Sequence, residues 1–312
     1  MMGGAEQPLK LRTETLDRCP VCDGRSFGHL VTAPDYETHT GEYGIDECVD
    51  CGVAFTNPRP VAEDLPKLYA QRDTTDFPKM GGAVQRLRDF TIDCYLAGQL
   101  ADRRAAAVEA FAVLDYGCGD GALVRGLLRF GNRNGRQVQV TAVDFHESAP
   151  PAIAGAGQAV TYVPNAAWHQ SPGRYDAIFL RHVLEHHPQP LRLLAELAAA
   201  LKPGGTLHIE VPNRRSLWAR IFGRCYFGYY VPRHLFHFDR ASLADSLHRA
   251  GFRTASVRHA HHPMIGSSLR YLTGLGFSNT GLMGLACYPP QVSLDMLCGR
   301  STTLLAIAKH DD

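Results

Sequence analysis

The sequence predicts an α/β chain. A mostly parallel sheet carries its site at the strands' carboxyl ends, and a small cysteine-rich module precedes it. Three observations predict this. Val113-Leu114-Asp115-Tyr116 is a short apolar strand that runs into Gly117-Cys118-Gly119-Asp120-Gly121 and then a helical pattern over 122–128. From Val113 onward strand and helix patterns alternate, which implies parallel strands. Upstream, Cys19-x-x-Cys22 and Cys48-x-x-Cys51 form two knuckles, with a glycine at 24 and at 52.

Glycines at alternate positions let the backbone turn sharply and let a ligand approach the main chain. Val140–Asp144 reads as a second strand ending in an acid, and a carboxylate at that tip is placed to accept both hydroxyls of a ribose. Several nucleoside cofactors satisfy this spacing. Gly117-x-Gly119-x-x-Ala122 also matches the dinucleotide pattern, so an NAD-dependent oxidoreductase is the nearest enzyme rival.

Two later runs narrow the choice. One is Tyr175-Asp176-Ala177-Ile178-Phe179-Leu180, continuing to His182-Val183-Leu184-Glu185-His186; the other is Leu201-Lys202-Pro203-Gly204-Gly205-Thr206-Leu207. Together with Leu114–Gly121, in this order and at these separations, they resemble the class I S-adenosylmethionine (SAM)-dependent methyltransferases over roughly residues 110 to 260. The resemblance implies a Rossmann-like sheet with a reversed final strand. Thr303–Lys309 fits that strand, and the segment from Phe252 fits the one before it. That strand and the 201–205 turn favour methyl transfer over NAD chemistry. The resemblance also implies a cofactor site. Gly117 and Gly119 would pass close to the methionine part and Asp144 would hold the ribose, with Asp115 and Arg181 also counted as cofactor-binding. Phe145 would lie against the adenine or pack. Asn165 and Ala166, after the strand Val160–Val163, would approach the adenine.

The paired knuckles put four thiolates, from Cys19, Cys22, Cys48 and Cys51, around one tetrahedral Zn2+. Four protein ligands leave no open position, so the expected role is structural. The bland alternative is four unligated cysteines, and a redox pair is disfavoured because neither knuckle opens a βαβ unit. The module carries Asp23, Asp35, Glu37, Glu42, Asp46, Glu47 and Asp50, which argues against phosphate binding and a nucleic-acid partner. A net charge of +1 with 20% charged residues exerts no global pull towards nucleic acid or anionic membrane. No apolar run is long enough for a transmembrane segment and no signal-peptide pattern opens the chain, so a cytoplasmic location is expected. Its nine cysteines would then be thiols or metal ligands. Similar modules precede methyltransferase domains in a mostly bacterial group, some acting in sugar and natural-product pathways, and Phe55–Pro60 resembles that group's linker.

The expected organisation is a flexible terminus over 1–14, a zinc ribbon over 15–60 and a helical linker covering the cofactor over 61–111. The methyltransferase domain follows over 112–312, with an acceptor lid at 214–240 and an insertion at 262–300. Helices are expected over 61–71 and 83–111, the second presenting Val84, Leu87, Thr91, Tyr95 and Leu96 on one face. Tyr69 and Phe90 join the cofactor cover or the core. Ser242 is expected to cap a helix ending near Gly251. The insertion reads as glycine-rich, irregular and apolar. A buried subdomain is its default, with a cover for the acceptor site, a homodimer contact or a lipid-substrate contact as alternatives.

His182-Val183-Leu184-Glu185-His186 also matches the inverted zinc-protease pattern, in which a helix would aim residues 182 and 186 at one metal. Its place directly after a buried strand favours a loop lining the cofactor cleft. The aromatic run 217–230 leads into Pro232-Arg233-His234-Leu235-Phe236-His237-Phe238, whose Pro-Arg-His-Leu-x-x-Phe wording resembles the cysteine-rich methyltransferases, where it sits between sheet and acceptor pocket. There the aromatics would wall a pocket, with Arg233 and His234 as its polar groups. A hydroxyl, amine or acidic-carbon acceptor needs a base, and imidazole has a suitable pKa. His234 is the first candidate, with His237 and His182 behind it. The expected function is methyl transfer from SAM to a small-molecule acceptor such as a sugar or natural-product intermediate. A zinc-ribbon scaffold protein with a non-catalytic nucleotide-like domain is the rival from another class.

Overall fold

The computed structural model describes residues 9–70, 82–101, 110–169, 171–279 and 282–310. The N-terminal strands are β1 (Thr13–Glu14), β2 (Phe27–Pro34), β3 (Glu42–Cys48), β4 (Ala54–Thr56) and β5 (Arg59–Pro60). Two helices follow, α1 (Lys67–Ala70) and α2 (Gly82–Gln99). The larger part runs β6 (Phe111–Tyr116), α3 (Ala122–Arg133), β7 (Val138–Asp144), β8 (Val160–Pro164), β9 (Tyr175–Arg181), α4 (Pro190–Ala200) and β10 (Leu201–Pro212). It ends with α5 (Leu217–Phe222), β11 (Phe236–His237), α6 (Arg240–Arg249), β12 (Phe252–Ala260), α7 (Ile265–Thr273), α8 (Leu282–Cys298) and β13 (Thr303–His310).

Seven strands form the main sheet in the order β12-β13-β10-β9-β6-β7-β8. β6, β7, β8, β9 and β10 pair in parallel, whereas β13 is antiparallel to both β10 and β12. This is the reversed-strand α/β sheet that the sequence predicts. Its inner strands are buried on both faces, which is why they read as near-continuous apolar runs. At the 201–206 turn the β9–β10 ladder breaks register, and Gly204 supplies a positive φ. Gly126 lets α2 lie on α3, because a Cβ there would stand 2.5 Å from Ile92 Cγ2.

The cysteine module is not a separate bead. Its antiparallel sheet has the order β11-β4-β3-β2, so its fourth strand is Phe236–His237 from far downstream. Cys19, Cys48, Val53 and Phe55 belong to the same apolar core as Leu180, Leu184, Leu235 and Phe238. Arg214 stitches the two further, donating to Gly52 O at 2.9 Å, Glu47 at 2.5 Å and Asp239 at 2.6 Å. The boundary expected at residue 60 is therefore covered by shared sheet and shared core.

Several local expectations are corrected. Residues 9–14, expected as flexible, are tied down: β1 pairs with β5, and Arg12 Nη2 donates to Asp64 at 2.8 Å. The helix expected over 61–71 is a single 3-10 turn at Ala62–Asp64 plus α1. The helix expected over 83–111 ends as α2 at Gln99, residues 102–109 lie outside the described residues, and Phe111 opens β6. Leu87 is exposed, because Ile92, Leu96 and Leu100 form the buried face; the side chain of Val84 lies outside the described ones. Ser242 is the third residue of α6, which Asp239 caps in a reciprocal capping box. The insertion contains two helices, α7 and α8, and is buried in part: Met264, Ile265 and Tyr271 pack with Trp218 and Phe222, whereas Met296 is 71% and Leu297 82% exposed. Among the described residues no helix is long and apolar enough to cross a membrane.

Candidate functional site

The site lies where β6, β7, β9 and β10 end. Gly117 N–H and Cys118 N–H both donate to Val143 O, at 2.8 and 2.9 Å, which folds the glycine turn onto β7. Gly117 has φ +86°, and a Cβ there would stand 2.2 Å from Val183 Cγ2, so only glycine fits. Gly119 has φ +54°, and a Cβ there would meet nothing within 4 Å, which leaves open space beside the turn. Its N–H donates to Asp144 Oδ2 at 2.8 Å, and Phe145 N–H donates to Asp144 Oδ1 at 2.8 Å. The carboxylate at the β7 tip is thus oriented by the glycine turn itself, with lone pairs left for hydroxyl donors.

Phe145 is 60% exposed, and its ring lies nearly parallel to Tyr69, centroids 6.0 Å apart. Asn165 sits in a 3-10 turn with Ala166, and its Oδ1 accepts from the Tyr116 hydroxyl at 2.6 Å. Below the turn, Arg181 pairs with Glu210 at 2.8 Å and lies over the Tyr95 ring. Burial would raise Glu210, but Arg181 wins and holds it down at about 2. Burial pushes Asp115 up to about 7, with Arg181 opposing. Gly117, Gly119, Asp144, Phe145, Asp115 and Arg181 therefore gather around one end of the sheet. Tethered carboxylate, open glycine and exposed aromatic together fit a nucleoside cofactor such as SAM.

A histidine cluster stands beside them. His182 takes a left-handed backbone, φ +54°, and its N–H donates to Glu210 O at 2.8 Å. That twist turns its ring against His262, centroids 4.7 Å apart, while Nδ1 lies 3.4 Å from Glu185 Oε1. His186 Nδ1 lies 2.9 Å from Arg233 O and 3.0 Å from the Tyr69 hydroxyl. His234 Nδ1 lies 2.9 Å from Gly228 O, and its Nε2 lies 3.9 Å from Glu185 Oε1. The His186 and His234 rings are 4.5 Å apart. Burial first, then neighbouring imidazoles, push His234 well below the usual imidazole range; His186 is lowered chiefly by burial.

The two other expected histidines separate. His182 joins the cluster, but His237 belongs to β11, where its Nε2 lies 3.0 Å from Thr56 Oγ1. Burial, then Arg214, pushes His237 down to about 3, and its place is that of a buried sheet residue. Arg233, expected to face an acceptor, is instead buried: it donates to Leu68 O at 2.9 Å and faces Asp35 at 3.6 Å. Burial opposes the Asp35 charge, yet hydrogen bonds led by Thr38 hold its carboxyl below the usual range. The inverted-protease geometry is absent from 182–186. Residues 184–186 form a 3-10 turn, and His182 and His186 fall into different groupings, His182 with Glu210 and His262, His186 with Glu185 and His234. Sequence reasoning missed Glu185 and His262 as site residues; the only signal was the Glu-His wording at 185–186.

The four cysteines converge. Their sulfurs lie within 4.8 Å of one another, with Cys19–Cys51 at 3.6 Å and Cys22–Cys48 at 3.4 Å. Thiolates around one tetrahedral Zn2+, with bonds of about 2.3 Å, stand about 3.8 Å apart. The knuckles are closed by Cys19 N–H to Gly24 O and Cys48 N–H to Val53 O, and Val21 N–H points at Cys19 Sγ at 3.4 Å. The residues present fit zinc.

Residues 86–257 match the family model described as a methyltransferase domain. The chain is similar to "Ubiquinone biosynthesis O-methyltransferase" of Xanthomonas campestris pv. campestris (strain B100), 32% identical over 165 residues. That match covers 49% of this chain and 64% of that protein. A protein of the same description from Acinetobacter baumannii (strain ACICU) is 29% identical over 176 residues, 52% of this chain and 71% of that one. Among solved structures, the Burkholderia thailandensis 1,6-didemethyltoxoflavin-N1-methyltransferase is 20% identical, with a TM-score of 0.47, covering 85% of this chain and 98% of that one. The model match takes in β6 to β10 and most of β12, the glycine turn and the Glu185 segment, and on it the chain belongs to the methyltransferase-domain family, as a class I, SAM-dependent member.

Proposed function

We propose that the protein transfers a methyl group from SAM to an oxygen of a small-molecule acceptor, with the cysteine module as a structural zinc site. The observation that carries the reading is the glycine turn tied through Gly119 N–H to the Asp144 carboxylate, inside the stretch matched by the family model. The reversed strand β13 favours it over hydride transfer from a dinucleotide. The names of the relatives favour oxygen as the target atom.

When bound, SAM supplies an electrophilic methyl group already activated by its sulfonium. The chain's own residues supply binding, alignment and exclusion of water. In this reading Asp144 accepts from the ribose hydroxyls, the turn through Gly117 and the open Gly119 takes the methionine end, and Phe145 with Tyr69 covers the adenine. Asn165, Ala166, Asp115 and Arg181 shape the same pocket. His234 is the base of choice. Its Nδ1 proton is committed to Gly228 O, so Nε2 presents a lone pair, and its lowered pKa keeps it neutral at pH 7. His182 stands behind it, and His237 is left to the sheet. The acceptor, of the sugar or natural-product kind, would sit under residues 214–240, where Trp218, Phe222 and Tyr226 pack against Met264 and Tyr271.

Calorimetric titration of the purified protein with SAM and, separately, NAD tests the reading. Micromolar SAM binding that Asp144→Ala abolishes supports it. NAD binding without SAM binding refutes it.

A further inference from the structure

Glu185 is a chemical anomaly. Its side chain is 1% exposed, and neither carboxylate oxygen has a hydrogen-bond partner among the described residues. A buried carboxylate without donors is strongly disfavoured unless a positive charge stands beside it. Two imidazole nitrogens stand near it, His182 Nδ1 at 3.4 Å and His234 Nε2 at 3.9 Å, too far for good hydrogen bonds.

The tautomers, assigned from the hydrogen-bond network, sharpen the point. A carbonyl oxygen can only accept. His234 Nδ1, 2.9 Å from Gly228 O, therefore carries the proton, and so does His186 Nδ1, 2.9 Å from Arg233 O. Both rings keep a bare lone pair at Nε2. Two imidazoles, each with a lone pair at Nε2, then stand beside a carboxylate that no donor among the described residues serves. One ligand atom from each of Glu185, His186 and His234 lies within 4.8 Å of the others. Imidazoles held by backbone carbonyls through their second nitrogen are the arrangement that orients metal-bound histidines.

We propose that Glu185, His186 and His234 bind a divalent first-row transition-metal cation, distinct from the ion of the four cysteines. Two imidazoles and one carboxylate suit such an ion and leave coordination positions for solvent or an acceptor oxygen. The neighbouring trio His182, Glu210 and His262 is the poorer host, because Glu210 is already paired with Arg181. With the ion bound, His234 Nε2 is a ligand and no longer the base, and the cation would instead lower the pKa of a bound acceptor hydroxyl. That use rests on the methyl-transfer reading; the binding does not.

The test uses the full chain with its cysteine site already loaded with Zn2+. Co2+ is titrated in, followed by absorption spectroscopy and by metal analysis after desalting. The wild type is expected to hold one Zn2+ and one Co2+, the cobalt showing d–d bands without sulfur-to-cobalt charge transfer. Glu185→Gln and His234→Asn should each weaken the second ion at least about 100-fold and leave the zinc in place. A wild type that takes up no second ion at millimolar Co2+ overturns the proposal. So does a second ion that both variants retain unchanged, or one whose spectrum shows thiolate ligation. The wild-type spectrum decides by itself if either variant fails to fold. SAM titration of the same samples keeps the two readings apart. Binding of SAM without a second ion refutes only the cation site, and binding of the ion without SAM refutes only methyl transfer.

Discussion

Thr56→Val tests whether the cysteine module and the histidine segment are one cooperative unit. Thr56 is fully buried in β4. Its hydroxyl must donate to His234 O, 2.7 Å away, because that carbonyl can only accept, and its lone pair then takes the Nε2 proton of His237 at 3.0 Å. Valine keeps the shape and removes both bonds, leaving a carbonyl and an imidazole N–H inside the core. Each buried group left unsatisfied costs about 1–3 kcal/mol, so the variant should lose about 2–6 kcal/mol of stability. Thr56→Ser keeps the hydroxyl and drops one methyl, for about 1 kcal/mol. Urea denaturation in zinc-replete buffer, followed by near-UV and far-UV circular dichroism, measures both. If valine costs less than about 1 kcal/mol, or serine costs as much as valine, the hydroxyl bridge is not what joins the two parts.

Other outcomes follow from the same geometry. Gly117→Ala forces a side chain into φ +86° against Val183 and should cost about 2–5 kcal/mol with loss of SAM binding, checked by thermal melting and calorimetry. The folded pKa of His237, about 3, lies below its unfolded value of about 6.5, so between those values the unfolded chain binds more protons. Its contribution is complete above about pH 6.5 and is lost as pH falls, about 2 kcal/mol by pH 5; urea midpoints at pH 7 and 5 read this, and His237→Gln should flatten the difference. Stripping zinc with a chelator should lower the melting temperature of the whole chain in one transition, because Cys19 and Cys48 sit in the shared core; two separate transitions would contradict that.

The sheet was legible because its signals are local. The glycine turn, the acid at Asp144 and the strand–helix alternation each occupy a short stretch, and the reversed strand could be placed from the apolar run at 303–309. The cysteine site was legible for the same reason, since tetrahedral zinc needs only two knuckles at workable separation. The histidine cluster was not, because it draws on 182–186, 234 and 262, which meet only after three separate elements have packed. Arg233 misled for a physical reason. An arginine beside histidine and aromatics reads as a ligand-binding cation, whereas this one is buried, donates from Nη2 to Leu68 O and faces a buried aspartate. The phase of α2 was misread because helical spacing alone does not say which of two half-apolar faces the sheet will cover, and Gly126 selects the Ile92 face.

The strand borrowed by the cysteine module also sets an order of assembly. The Thr56–His234 bond closes a loop of 178 residues, so β4 remains an unpaired edge on the ribosome until residue 237 has emerged. The two cysteine knuckles are complete early, but the sheet they anchor is finished only when Phe236–His237 arrives. A chain interrupted between Thr56 and Phe236 would therefore carry intact cysteine knuckles and an open, adhesive strand, a product prone to pair with its own kind.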